Sequence, residues 1–201
     1  MTALSDHCNT IRDWVNLGPD VYPNSVVTSW IRMAESILSK TLRCKDMLQI
    51  DTGLLIQQRL LLPSDWRQLD LVRLVGGKPL RYTPRDDFYN PDLADDQANC
   101  YTLSGNYLIC GGTVPEGLNV ELTYYQNLPP LGDDPTWPLT NYPMLFTLKP
   151  LAVASTYAFE DERGDRWEAQ CAKMVDDINI EHMYSKASGS RLTARRRRSF
   201  G

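Results

Sequence analysis

The spacing of apolar residues changes twice along this chain, and those changes restrict the folds that it can adopt. Over residues 25–42 apolar side chains recur every three or four positions, which predicts an amphipathic helix. Between residues 47 and 126 the period shortens to about two, which predicts about six short strands. From residue 142 the helical period returns until about residue 185, although Pro150 must kink or divide the helix there.

Turn residues separate the predicted strands. A run over residues 54–62 is apolar enough to form one continuous strand. Gly76 and Gly77 supply the positive φ of a tight turn, so they predict a hairpin between the strands on either side. A second hairpin is predicted around Gly105, with strands that reach back to Cys100 and forward to Cys110.

This order of helices, strands and helices predicts an α+β fold, a helical bundle with an inserted antiparallel β subdomain. Residues 1–45 form the N-terminal helices and residues 46–127 the β subdomain. Residues 128–187 form the C-terminal helices, which pack on the N-terminal ones. Residues 188–201 are rich in Gly, Ser and Arg, so we expect a basic tail that is disordered in the free protein.

The charge of this tail contrasts with that of the preceding chain. Residues 186–201 hold six basic side chains and no acid, whereas residues 1–185 hold 15 basic and 25 acidic side chains. A cationic arm on an anionic body is suited to reach a partner. That partner is either the phosphates of a nucleic acid or an acidic groove of a protein, with Leu192 and Phe200 as apolar anchors. A solvated tail without a role is the third interpretation.

Residue types that carry chemistry are scattered through the sequence. The five cysteines lack CxxC spacing, which favours reduced thiols, and a disulfide between Cys100 and Cys110 is the minor alternative. His7 and His182 have no partner at metal-site spacing. Three of the four Asp-Asp pairs lie beside Pro or Asn, where aspartate serves turns and helix caps. We therefore predict no catalytic residue, no cofactor and no metal site.

Tyrosines are frequent in the β region, where few basic residues lie between them. Core packing or a subunit interface therefore explains these rings better than base stacking does. No run of eighteen apolar residues occurs, and the N-terminus lacks the pattern of a signal peptide. We expect no association with a membrane.

A series of segments in the second half of the chain resembles a known family. A strand ending in Tyr124-Tyr125 is followed by Leu128-Pro129-Pro130-Leu131, an Asp-rich loop and a helix that opens at Trp137. The stretch LLLPSDWRQLDLVRLVGGKPLRYTPRDDFY precedes this series, and YAFEDERGDRWEA follows it. In this combination the chain resembles, over residues 25–180, the head-to-tail adaptor (connector) proteins of tailed bacteriophages.

The resemblance implies a structural protein rather than an enzyme. Similar proteins assemble, usually as a twelve-fold ring, beneath the portal vertex of the DNA-filled head. The implied partners are the portal protein, tail or nozzle proteins, further copies of the chain and the double-stranded DNA that passes through the ring. The implied location is the head-tail junction (neck) of the virion, after assembly in the host cytoplasm.

Two sets of site residues follow from these expectations. The tail residues expected to contact the portal or the DNA are Arg191, Leu192, Arg195, Arg196, Arg197, Arg198 and Phe200. The residues expected at a subunit interface are Tyr124, Tyr125, Leu128, Pro129, Pro130, Leu131 and Trp137. The alternative function is that of a nucleic-acid-binding protein that uses the β subdomain and the basic tail, and steeply salt-dependent DNA binding would distinguish it.

Overall fold

The computed structural model describes residues 3–16, 18–89, 99–111, 114–115, 117–157 and 162–188. The chain divides into two compact units. The helical unit consists of residues 1–45 and 128–201, and the strand unit consists of residues 46–127. Helices and strands are thus largely segregated, which confirms the predicted α+β fold class.

The helices are α1 (Ala3–Val15), α2 (Asn24–Thr41), α3 (Arg85–Phe88), α4 (Trp137–Asn141), α5 (Pro143–Tyr157) and α6 (Gly164–Ser188), with a 3₁₀ turn at Lys45–Met47. The strands are β1 (Leu48–Leu54), β2 (Arg59–Leu61), β3 (Trp66–Leu74), β4 (Arg81–Tyr82), β5 (Cys100–Ser104), β6 (Tyr107–Cys110) and β7 (Asn119–Gln126). The described residues therefore hold seven strands, where about six were predicted. The tail expected to be disordered lies outside the described residues from residue 189 onward.

Helix α5 is the centre of the helical unit. Every residue from 145 to 154 is buried, and α1, α2, α4 and α6 all contact this helix. A helix that is apolar on all sides requires such an enclosure. Lys149 is its charged member, and its Nζ lies 2.5 Å from Oε1 of Glu168 on α6, so the buried ammonium group is paired.

Pro150 lies inside α5 without dividing it. Because proline has no backbone N–H, the carbonyl of Phe146, four residues earlier, has no donor in its own helix. Nε2 of His7 on α1 lies 2.8 Å from that carbonyl oxygen and donates to it. Burial lowers the pKa of His7, which keeps the ring neutral with its proton on Nε2. One side chain thus satisfies the acceptor that the proline leaves open.

Replacing His7 by alanine should lower the free energy of unfolding by about 1–3 kcal/mol, since it leaves a buried carbonyl without a donor. In a Pro150→Ala background the helix regains an N–H for Phe146, so the same replacement should cost about 1 kcal/mol less. Urea denaturation of the four proteins measures both costs. The cavity left by the ring is common to both backgrounds, so equal costs would refute this role for His7.

The strand unit contains two sheets. One has the strand order β1-β7-β3, and the other has the order β2-β6-β5-β4. All strand pairs are antiparallel except β4 with β5, which pair in parallel over two residues. The predicted antiparallel subdomain is confirmed, with this short parallel pair as an exception. The chain reaches β4 after only a brief contact with β3, and it then runs alongside β5 instead.

Side chains from both sheets enclose one apolar core. Val72, Val120 and Leu122 come from the first sheet, and Leu60 and Leu108 from the second. Strand pairing continues at both margins, because Ile56 bridges Arg59 next to β1 and β2, and Arg73 bridges Pro79 next to β3 and β4. The two sheets are therefore joined by a single bridge at each of these margins.

The predicted continuous strand over residues 54–62 is wrong. The chain turns after β1 and returns as β2, and Gln57 and Gln58 adopt left-handed φ angles of 50° and 59°. No glycine or proline marks this turn, so the run of apolar residues in the sequence continues through it without a visible break. Gly53 permits the return, because a Cβ atom there would overlap the side chain of Leu60.

The turns predicted at Gly76 and at Gly105 both form, but only the turn at Gly105 joins two strands that pair along their length. The predicted hairpin between β5 and β6 is confirmed, with Gly105 at φ 58° between Ser104 and Tyr107, which are paired. Gly76, at φ 76°, also makes its turn, although the following strand β4 pairs mainly with β5.

All five cysteines are buried thiols, and Cys100 and Cys110 form no disulfide. Burial raises the pKa of Cys110 to about 12 and that of Cys171 to about 11. Both thiols are therefore protonated at neutral pH and weakly reactive.

Candidate assembly interfaces

The segment 128–133, here called the strap, is fastened to the helical unit by its backbone. The N–H of Leu131 donates to Oε1 of Glu35 at 2.7 Å, and the carbonyl of Leu131 accepts from Nη2 of Arg32 at 2.7 Å. The N–H of Leu128 donates to Oγ of Ser39 at 3.0 Å. All three partners lie on α2. The prolines of the strap have no N–H to satisfy, so its few donors are used at the points of attachment.

The other end of the strap meets α1. The N–H groups of Ala3 and Leu4 donate to the carbonyls of Asp133 and Gly132, at 2.9 and 3.1 Å. These N–H groups belong to the first turn of α1, where the helix itself offers no acceptor. The strap therefore joins the N-terminal helices by hydrogen bonds at both of its ends.

The residues predicted at a subunit interface lie at different depths. Tyr124, Tyr125, Leu128 and Leu131 are buried within a single chain. Pro129 and Trp137 are half-buried, and Pro130 is exposed. A side chain buried in its own chain offers little area to a neighbour, so Pro130 is the member of this set best placed for such a contact.

Tyr124 illustrates the internal role of the buried members. Its hydroxyl group donates to Oδ1 of Asp65 at 3.2 Å. Desolvation, followed by the negative charge of Asp65, raises the pKa of Tyr124 to about 12. The ring also belongs to the apolar core of the strand unit. The Tyr-Tyr pair therefore carries structural contacts inside the unit.

The outer face of the first sheet exposes apolar side chains that the sequence reasoning missed. Ile50 on β1 and Leu71 on β3 both pair with Thr123 on the central strand β7, so the three form a row. Their neighbours Val72 and Leu122 belong to the core, so this row lies on the opposite face. Ile50 is 68% exposed and Leu71 is 38% exposed. A signal was present in β3, where adjacent residues Leu71 and Val72 are both apolar and occupy both faces.

A second exposed apolar surface lies near the C-terminal end of α6. Ile180, Met183 and Tyr184 are 48%, 69% and 73% exposed and occupy one side of the helix. Earlier in α6 the same side carries the charged residues Arg166 and Lys173. This change from charged to apolar residues is typical of a surface that a partner covers.

The tail residues predicted to contact the portal or the DNA lie outside the described residues. They follow directly on α6, whose last turn carries Lys186. The helix thus leads from the exposed apolar surface of Ile180, Met183 and Tyr184 into the basic segment of the sequence.

Residues with potential for chemistry are dispersed. His7 and His182 are both buried in the helical unit, and His7 donates to the carbonyl of Phe146. Three of the Asp-Asp pairs are exposed, and the fourth, at residues 95–96, falls outside the described part of the chain. Among the described residues no group of three or more His, Cys, Asp and Glu side chains could hold a metal ion. None of the described helices is long and apolar enough to cross a membrane.

Comparison with known proteins identifies the family. The family model of the SU10 adaptor protein matches residues 2–198, which is nearly the whole chain. No curated protein matches the chain. The resemblance to phage adaptors is thereby confirmed. The chain belongs to the SU10 adaptor protein family, and it is a structural adaptor component of a bacteriophage particle.

Proposed function

We propose that this adaptor forms a ring, usually of twelve copies, on the portal vertex and offers tail or nozzle proteins their attachment platform. The ring surrounds the channel through which double-stranded DNA passes, and its subunits are made and assembled in the host cytoplasm. The observation that carries the proposal is the basic segment that follows α6. Its five arginines, together with Lys186 in the last turn of α6, place six cations and no acid after an otherwise acidic chain of the adaptor family.

The basic segment suits docking on a protein better than retention of DNA. Four successive arginines can form two-pronged hydrogen bonds with carboxylates, and Leu192 and Phe200 add apolar anchors. The remaining chain is strongly acidic, and an acidic surface repels the phosphates of passing DNA. Weak repulsion allows a polyanion to slide through the ring.

Contacts between subunits are supported by the exposed apolar surfaces. The row of Ile50 and Leu71 on the strand unit offers one such surface, and Met183 and Tyr184 on α6 offer another. Apolar area left exposed on a chain of this size is typical of surfaces that become buried on assembly. Pro129, Pro130 and Trp137 remain candidates for the same contact.

A binding experiment with isolated portal rings tests the docking proposal. The full chain should bind the rings, and a variant that lacks residues 190–201 should lose at least about a hundredfold in affinity, because several charge-assisted contacts disappear together. Circular dichroism should be unchanged, since α6 ends before the deletion. Undiminished binding by the truncated chain would contradict the proposal.

Two substitution variants separate charge from geometry in the same experiment. Replacing Arg195, Arg196, Arg197 and Arg198 by lysine keeps the charge but removes the planar guanidinium groups, and replacing them by serine removes both. We expect portal affinity to fall in the order wild type, lysine variant, serine variant.

Double-stranded DNA serves as the competing ligand. A nucleic-acid-binding protein would bind DNA tightly in isolation, with a steep salt dependence that the serine variant loses. Weak DNA binding together with tight portal binding is the result expected for an adaptor.

A further inference from the structure

A groove runs along one side of α6 in the helical unit. It consists of a cavity of about 270 Å³ and a second of about 240 Å³, and both are lined by Tyr142 and Ile178. Met144 and Met174 line the first cavity, and Met144 is 46% exposed. Methionine side chains adapt to ligands of irregular shape. We call this surface the α6 groove.

Carboxylates lie along the groove. Asp177 lines the first cavity and Glu181 the second, one helical turn apart on the same side of α6. Both are exposed, and neither forms an ion pair within the part of the chain that the structure describes. Residues 174–185 carry three acids and no lysine or arginine, and Lys45 is the basic residue lining the groove. An apolar floor with acidic side chains fits a basic peptide that has apolar anchors.

We propose that the chain's own C-terminal segment, residues 189–201, folds back along α6 and occupies this groove in the free protein. The segment has the complementary chemistry, with arginines for Asp177 and Glu181 and with Leu192 and Phe200 for the cavities. The segment is long enough to extend along the whole groove, since thirteen residues span up to about 43 Å. The groove runs back from Ser185 to Met174, which is about 16 Å along a helix.

Binding within one chain is favoured over binding to a second copy. A short tether gives the segment an effective concentration on the order of millimolar at its own groove. A free adaptor at lower concentration therefore fills its own groove first, even when each contact is weak.

The segment then has two alternative binding partners, the α6 groove and the portal, a consequence that rests on the proposed function. In the free adaptor the segment binds Asp177 and Glu181, and on the portal it exchanges these contacts for those of the portal. Because the segment must give up its groove contacts before it binds elsewhere, free subunits bind other acidic proteins only weakly. Docking on the portal leaves the groove uncovered.

Limited trypsin digestion of the full chain tests the fold-back directly, with cleavage after Arg191 to Arg198 followed by intact mass spectrometry. An Asp177→Asn/Glu181→Gln variant should lose this segment about fivefold faster than the wild type, the effect expected for two exposed ion pairs. An Asp86→Asn/Asp87→Asn variant is the matched control, because it removes two exposed charges from α3 in the strand unit, and it should match the wild type.

Two further measurements keep the test independent of the variants and of the portal. Raising the salt concentration to 0.5 M should also speed cleavage in the wild type, relative to a small unstructured substrate digested alongside. The protection should not change with adaptor concentration. Equal cleavage in all three proteins would overturn the fold-back, and protection that grows with concentration would assign the groove to a second copy instead. Neither result depends on portal binding, so a failure of the proposed function stays distinguishable.

Discussion

Replacing Leu122 by alanine is expected to lower the free energy of unfolding by about 2–5 kcal/mol, the range found for buried leucines. Leu122 is 1% exposed and lies on β7, the central strand of its sheet, among core residues of both sheets. Truncation would leave a cavity that two facing sheets cannot close without disturbing their strand pairing. Urea denaturation measures the loss. Hydrogen exchange should show it as reduced protection within residues 46–127, with the helical unit less affected.

Ile50 provides the matched control on the same sheet. It is an apolar residue on the neighbouring strand β1, but it faces outward and is 68% exposed. Its replacement by alanine should change the free energy of unfolding by less than about 0.5 kcal/mol. If the outer row is a subunit contact, the same variant should weaken ring formation. Equal destabilisation by the two replacements would show that the assigned core is wrong.

Replacing Glu35 by alanine should cost about 2–4 kcal/mol, because it leaves the buried N–H of Leu131 without an acceptor. Glu35 is 7% exposed, and its second oxygen accepts from Nη1 of Arg32 at 2.8 Å. The guanidinium group of Arg32 is partly exposed and can be hydrated instead. The loss of stability therefore arises mainly from the N–H group of Leu131. Urea denaturation gives the magnitude, and hydrogen exchange at Leu131 reports whether the strap has come loose.

Glutamine at position 35 separates the hydrogen bond from the charge. It keeps an oxygen for Leu131 and loses only the ion pair with Arg32, so Glu35→Gln should cost about 1 kcal/mol. Protection at Leu131 should remain. A cost as large as that of the alanine variant would mean that the ion pair, rather than the backbone acceptor, fastens the strap.

The sequence predicted well those elements whose apolar residues recur with a regular period. Helix α2 was expected over residues 25–42 and extends over Asn24–Thr41, because its apolar stripe has a clear period. Strand β7, Asn119–Gln126, lies within the region of period two, residues 47–126, where short strands were expected. The turn between β1 and β2 was missed, because Gln57 and Gln58 adopt left-handed angles that their residue type does not announce.

Contacts between distant residues account for most of what the sequence did not show. The sequence shows that Pro150 leaves the carbonyl of Phe146 without a donor in its own helix. The donor that replaces it, His7, comes from a distant part of the chain. The burial of Tyr124 and Leu131 likewise depends on partners that no local pattern reveals. The exposed row of Ile50 and Leu71 could be found only once the strand register was known.

In the sequence, the strand unit is inserted between the two parts of the helical unit, so the helical unit can be completed only late in synthesis. His7 must find Phe146, 139 residues later, and Arg43 must find Asn179, 136 residues later. The ribosome completes the strand unit before α5 exists, so that unit can fold while the apolar stripe of α2 is still uncovered. A chain that terminates early keeps this stripe exposed and becomes a target for chaperones and proteases.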